Sequence, residues 1–134
     1  MHGNSDSSSV VYRGSCRTIV CAIAGNGGMP ANDFIRTQLN GDQRNKFMAL
    51  FARMGDHGSI SNPEKFKHEE DKIYVFKIFR VRMYCFQNGI EWVLTNGCIK
   101  KRDKADPAEL ARAKRIQAEH MAQIAERQKR KQGN

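Results

Sequence analysis

The stretch "KIYVFKIFRVRMYCFQNGIEWVLTNGCIKK" (residues 72–101) decides how the chain folds. Apolar and polar side chains alternate along it, and a period of two residues is typical of β-strands. Asn88 and Gly89 interrupt the alternation, and Asn-Gly is a strong signal for a tight hairpin turn. We therefore predict three antiparallel strands, the last two joined by this turn. They cover residues 73–79, 80–87 and 90–99.

The alternation also divides the predicted middle strand into two faces. Val81, Met83 and Cys85 point to one side, and Arg80, Arg82, Tyr84 and Phe86 point to the other. We expect the first face to join the hydrophobic core. The second face is basic and aromatic, and we expect it to remain open to solvent.

The residues before this stretch predict one strand and two helices. Residues 17–25 form a short stretch that contains β-branched side chains and ends in glycine, which is typical of a strand. Residues 31–41 and 42–58 are predicted to form two antiparallel helices on the sheet, with Asp42 as the cap of the second and Gly55 and Gly58 as the residues that can end it. Residues 59–71 contain a proline and many charges, so we predict a loop.

A last helix follows the predicted sheet. Asp106, Pro107 and Glu109 have the pattern of a capping box with proline at the first helical position. The whole pattern predicts an α+β fold, a small antiparallel sheet of about four strands with an N-terminal helical pair and a C-terminal helix. We assign residues 11–125 to this single domain. Residues 1–10 are predicted to be a disordered tail and residues 126–134 a basic tail.

Charge is distributed unevenly along the chain. Residues 1–71 carry eight basic and eight acidic side chains, whereas residues 72–134 carry fifteen basic and six acidic ones. The formal charge of +9 therefore lies in the second part of the chain. A one-sided positive field attracts polyanions, and nucleic acid is the most common polyanion in cells.

Other classes of function find little support in the sequence. The four cysteines lack the CxxC spacing and paired histidines of a zinc site, so we expect no metal and no cofactor. Cys85 and Cys98 are predicted to be buried in a reducing compartment. We recognise neither a membrane span nor a secretory signal, which predicts a cytoplasmic protein. "GNGG" at residues 25–28 lacks the lysine and hydroxyl of a phosphate loop and indicates a turn.

The order of these elements resembles that of the RelE/HigB-type toxins of type II toxin-antitoxin systems, in the phage-related branch of the RelE/ParE superfamily. The resemblance extends over about residues 17–120. It rests on "DFIRTQL" and "FMALFARMGDHG" in the helices, "FKHEEDKIYVFKI" entering the sheet, "RVRMYCFQNG" in the hairpin, and "LTNGCIKKRDKADPAELARAKR" at the last strand, basic turn and helix.

This resemblance implies a metal-independent endoribonuclease that cuts messenger RNA on the ribosome, inhibits translation and is neutralised by a cognate antitoxin. In this chemistry the ribose 2′-OH attacks the adjacent phosphate and leaves a 2′,3′-cyclic phosphate. By position, Arg82, Lys100 and Lys101 are implied to hold the scissile phosphate. We expect further RNA contacts from Lys77, Arg80, Tyr84, Arg102 and Lys104.

The groups that would transfer protons are harder to assign. Pro107 stands near the position of a tyrosine in some members, and "IYVFKI" departs from members with two lysines in that strand. His68 is the candidate general base, because a histidine side chain can take up or release a proton near neutral pH. Two alternatives therefore stay open: a ParE-type toxin that poisons DNA gyrase without nuclease activity, and a non-catalytic basic nucleic-acid-binding module.

Overall fold

The computed structural model describes residues 7–102 and 106–132 of the chain. A short 3-10 turn at Ser7–Ser9 precedes the first strand. The elements that follow are β1 (Val10–Arg13), β2 (Thr18–Cys21), α1 (Pro30–Gln38), α2 (Gly41–His57), β3 (Phe66–Glu70), β4 (Ile73–Ile78), β5 (Val81–Asn88), β6 (Glu91–Ile99) and α3 (Pro107–Gln132).

The described strands form one six-stranded mixed sheet in the order β1-β2-β6-β5-β4-β3. Strands β2 and β6 are parallel, and all other neighbours are antiparallel. The prediction of an antiparallel sheet of about four strands is therefore wrong. The two strands missing from the prediction, β1 and β3, lie at the two edges of the sheet. The central strands β4, β5 and β6 and the hairpin between the last two are confirmed.

Both edge strands depend on contacts with distant parts of the chain. In β1, the Tyr12 hydroxyl donates to Asp56 Oδ2 of α2 at 2.6 Å. Gly55 permits this approach, because a Cβ atom there would lie 2.8 Å from the Tyr12 ring. Strand β3 has the sequence FKHEE, whose charges hide any alternation, and its backbone pairs with β4. The predicted loop at residues 59–71 is therefore wrong where β3 forms.

Helices cover the sheet on both faces. Helices α1 and α2 pack on the face that carries Met83 and Cys85, and α3 packs on the face that carries Tyr84 and Phe86. Tyr84 is only 4% exposed and Phe86 only 1%. The prediction that this second face is open to solvent is thus wrong along most of its length.

Local capping signals place the helix ends. Of the two glycines predicted to end α2, Gly58 ends it with a φ of 81° and Gly55 lies inside the helix. Asp106 Oδ1 accepts hydrogen bonds from two backbone N–H groups at the start of α3. The cap of α2 is Asn40 and not Asp42, because Asn40 and Gln43 form a reciprocal capping box. Helix α3 continues to Gln132, into the stretch assigned to a basic tail, and residues 1–6 of the other predicted tail lie outside the described residues.

Candidate nucleic-acid interface

Most of the predicted site residues lie at one end of the sheet. We call it the basic end. Arg82 in β5 lies opposite Lys77 in β4 on one side and opposite Cys98 in β6 on the other. The Lys100 N–H donates to the Arg80 carbonyl oxygen at 2.8 Å, which ties the end of β6 to the β4–β5 turn. The basic end consists of Lys77, Arg80, Arg82, Lys100, Lys101 and Arg102. Lys104 lies outside the described residues.

The pair of Lys77 and Arg82 is the centre of this surface. Both side chains are half-buried. Arg82 Nη1 donates to the carbonyl oxygens of Phe79 at 2.5 Å and Val81 at 3.1 Å, so the guanidinium group is held in one orientation. Lys77 Nζ donates to the Pro63 carbonyl oxygen at 3.2 Å. The two cations are therefore positioned by backbone acceptors.

Its surroundings change the acidity of Lys77. Partial burial lowers the pKa of the Lys77 ammonium group, and the positive charges of Lys67 and Arg82 lower it further. The carboxylates of Glu69 and Glu64 act in the opposite direction. The net effect is an amine that gives up its proton more readily than an exposed lysine.

The end of β6 forms one wall of a pocket of ≈ 380 Å³. Lys101 and Arg102 are exposed there, and Lys100 is half-buried. The first turn of α3 forms the facing wall, where Glu109 Oε1 accepts a hydrogen bond from Asn96 Nδ2 at 3.0 Å. The lining residues are Cys98, Ile99, Lys100, Lys101, Arg102, Asp106, Pro107 and Glu109. The pocket thus combines a cationic wall with an acidic one.

Tyr84 does not belong to the accessible surface. Its ring lies beneath α3, among the residues of the core on that face. Burial raises the pKa of its hydroxyl, and the neighbouring Cys98 thiol raises it further. Because the ring has no free face, the prediction that Tyr84 stacks on a base is wrong. Cys85 is buried as predicted, whereas Cys98 is only half-buried.

His68 lies far from the basic end. It sits in β3 opposite Tyr74, three positions along β4 from Lys77 and on the other face of the sheet. Three strand residues span roughly 10 Å. Its Nε2 lies 2.6 Å from the Asp71 carbonyl oxygen, and its ring packs edge-on against Tyr74. This location contradicts the hypothesis that His68 is the general base beside Arg82.

A second pocket of ≈ 550 Å³ lies at the carboxyl ends of the parallel strands β2 and β6. The glycine-rich loop at residues 25–28 forms part of it, and its turn is closed by a hydrogen bond from Gly27 N–H to the Ala24 carbonyl oxygen at 2.9 Å. The Gly25 N–H already donates to Glu119 Oε1 at 2.9 Å, and the Gly28 N–H donates to Asn26 Oδ1. These two loop amides are thus bound within the protein, and the interpretation as a turn is confirmed.

No protein-family model matches the chain, and a search of curated proteins finds no match either. Across the described residues, no helix combines the length and the apolar character needed to span a bilayer. Within the same residues, no group of three His, Cys, Asp or Glu side chains is arranged to hold a metal ion.

Proposed function

We propose that the protein is an endoribonuclease toxin of the RelE/HigB kind, which cuts messenger RNA on cytoplasmic ribosomes and is neutralised by an antitoxin protein. The pair of Lys77 and Arg82 is the observation that carries the proposal. Like charges directly opposite each other destabilise a sheet. No carboxylate in the described part of the chain forms an ion pair with either side chain. A phosphate group of RNA would supply the missing negative charge.

The reaction suits a guanidinium group in this position. The ribose 2′-OH attacks phosphorus while the bond to the 5′-oxygen breaks, which leaves a 2′,3′-cyclic phosphate and a 5′-OH. Negative charge grows on the two non-bridging oxygens in the transition state. Arg82 presents a fork of N–H donors that can bind both oxygens, and its Nη1 is anchored by Phe79 and Val81.

The strand order suggests how protons move. Attacking and leaving oxygens lie on opposite sides of the phosphorus, so the groups that remove and supply protons must also lie on opposite sides. Lys77 in β4 and Lys100 after β6 flank Arg82 from its two sides. We assign removal of the 2′-OH proton to Lys77, because its lowered pKa provides more neutral amine. The ammonium groups of Lys100 and Lys101 are assigned to protonate the leaving 5′-oxygen.

The test is sequencing of messenger RNA 5′ ends after brief induction in a bacterial host. The wild type should create new ends within translated codons, and Arg82→Ala should not. Lys72→Ala is the matched control, because Lys72 is an exposed lysine at the opposite end of β4. It should retain cleavage. New ends that persist in a folded Arg82→Ala protein would contradict the role of Arg82, and their absence in the wild type would contradict cleavage.

A second candidate function is RNA binding without cleavage. The observation that favours it is the location of the predicted proton-transfer residue: His68 lies on the other face of the sheet from Arg82. The same induction experiment separates the two candidates. Wild-type protein that binds RNA in a gel-shift assay but produces no new ends would establish the second candidate.

A further inference from the structure

Three hairpin turns of the same sheet use the same backbone device. Each contains two residues, and the first residue has a positive φ: 51° at Asp71, 50° at Phe79 and 62° at Gly89. Glycine adopts this conformation freely, and aspartate tolerates it because its short side chain can bond locally. A bulky aromatic residue there is an outlier that costs free energy. The turn at Phe79 is therefore the strained one.

Phe79 also gains nothing from burial. Its side chain is 82% exposed, more than the next most exposed large apolar residue of the described chain, Ile90 at 58%. A phenylalanine in a core would contribute a large hydrophobic stabilisation that this one forgoes. Neither the turn nor the core thus explains an aromatic ring at this position. Residues that lower stability in this way are concentrated at binding sites.

One cation lies over the ring. Lys46 Nζ lies 5.1 Å from the centre of the Phe79 ring, a distance typical of a cation–π contact. Arg80 follows in the same turn, and Arg82 binds the Phe79 carbonyl oxygen. Lys100 is joined to Arg80 through the backbone. The ring therefore contacts one cation and lies next along the chain to the arginines of the basic end.

We propose that Phe79 is a stacking platform for one unpaired base of single-stranded RNA, whose backbone phosphates lie along Lys77, Arg80 and Arg82. Every base has an apolar π-face, and proteins that bind single strands combine aromatic rings with a cationic track. Phenylalanine has no hydrogen-bonding group, so this contact should not distinguish between bases. The inference rests on the proposed RNA binding but is independent of cleavage.

The experiment measures binding of the full chain to a fluorescent single-stranded RNA of roughly ten nucleotides that carries one 2-aminopurine. Phe79→Gly should weaken binding about 5- to 100-fold and should abolish the quenching of 2-aminopurine that stacking produces. The salt dependence of binding should remain unchanged, because no charge is lost. Phe79→Trp should bind as tightly as the wild type.

Two controls separate this inference from the proposed function. Ile90→Ser removes an exposed apolar side chain from the turn at the other end of β5 and should leave affinity unchanged. Arg82→Ala should weaken binding and also reduce the salt dependence. If Phe79→Gly binds RNA within about twofold of the wild type while Arg82→Ala loses binding, the stacking role alone would be overturned. Equal losses on single-stranded and double-stranded RNA would overturn it too, and a wild type that binds no RNA would overturn both proposals.

The stability of Phe79→Gly gives an independent readout. If the ring served the fold, its removal would lower the melting temperature. We expect the melting temperature to be equal or higher, because relief of the strained φ offsets the greater chain entropy of glycine in the unfolded state. A clear fall in melting temperature would assign Phe79 to the fold and overturn the inference.

Discussion

Strand β4 lies between two turns that differ in the charge of the side chains around them. At its start, Lys114 of α3 forms ion pairs with Glu70 and with Asp71, the latter at 2.9 Å, and so attaches the helix to the turn. At its end, Lys77 and Arg82 lie opposite each other, and neither forms an ion pair with a carboxylate of the described residues. We call the turn at Asp71 the neutral end, because Lys114 balances its carboxylates. The basic end retains an excess of positive charge.

The backbone shows the same contrast. The turn at the neutral end places aspartate at its positive φ, and the turn at the basic end places phenylalanine there. The two turns have the same length, so geometry alone does not demand the difference. One end of β4 is arranged for stability. At the other end, like charges repel each other and the backbone is strained, a combination that is expected where a ligand binds.

The largest expected effect tests which residues of β5 belong to the core and which belong to the surface. Met83 follows Arg82 in β5 but is fully buried on the side of α2. Met83→Ala should lower the free energy of unfolding by about 2–5 kcal/mol, since it leaves a cavity. Arg82→Ala should cost about 1 kcal/mol, because it loses hydrogen bonds of a half-buried side chain. Urea denaturation measures both, and equal losses would contradict the assignment of the two faces.

The second effect concerns how α3 is attached near the loop after β2. His120 Nδ1 accepts the Ile23 N–H at 3.0 Å, and burial lowers the pKa of this histidine to about 4, with a smaller contribution from Arg127. Below pH 6.5 the unfolded chain binds the proton first, so stability should fall as the pH drops from about 6.5 to about 4. The loss should reach about 3 kcal/mol, with none above pH 7.

His120→Gln tests this pH dependence, because glutamine retains an acceptor but does not titrate. Its unfolding free energy, measured by denaturation at a series of pH values, should vary less between pH 6.5 and pH 4. An unchanged slope would show that another group causes the dependence. The ammonium group of Lys114 should not contribute to this slope, because hydrogen bonds with Glu70 and Asp71 raise its pKa and it titrates only in alkaline solution.

The third prediction concerns a substitution that removes the difference in charge between the two ends of β4. Lys77→Glu places opposite charges across β4 and β5, so the protein should become more stable by about 0.2–1 kcal/mol. RNA cleavage should nevertheless fall about 100-fold, because the new carboxylate pairs with Arg82 and repels phosphate. Lys72→Glu at the other turn is the control for net charge. Cleavage by Lys77→Glu at the wild-type rate would contradict the proposed site.

The smallest effect concerns the neutral end. Lys114→Ala removes its ion pairs with Glu70 and Asp71, which are exposed carboxylates at the surface. The melting temperature should fall slightly at low salt and remain the same at high salt, since surface ion pairs are weak and screened. RNA binding should not change. Loss of RNA binding in this variant would show that the two ends are not functionally distinct.

Much of the local structure follows from the sequence. The alternation from Ile73 onward predicted the three central strands, and the Asn-Gly pair predicted their hairpin, because both signals act between neighbours in the chain. Asp106 and Gly58 marked helix ends for the same reason. The sequence also placed Lys77 and Arg82 in neighbouring strands, whereas their direct pairing became visible only in the register of the folded sheet.

Other features required the folded chain. The charges of β3 conceal a strand, and β1 is too short to show a period, so both became visible only through their partners in the sheet. Tyr84 alternates correctly with Met83, yet alternation does not reveal what covers each face. The strain at Phe79 was likewise hidden, because the sequence placed that residue inside a strand and not in a turn.

The sequence by itself determined the central strands, the start of α3, the end of α2 and the concentration of positive charge in the second half of the chain, because each depends on residues that are close along it. Only the tertiary structure decided that α3 buries one face of the sheet, that His68 lies apart from Arg82, and that Phe79 is exposed beside Lys46. These features depend on contacts between distant residues, which no local pattern specifies.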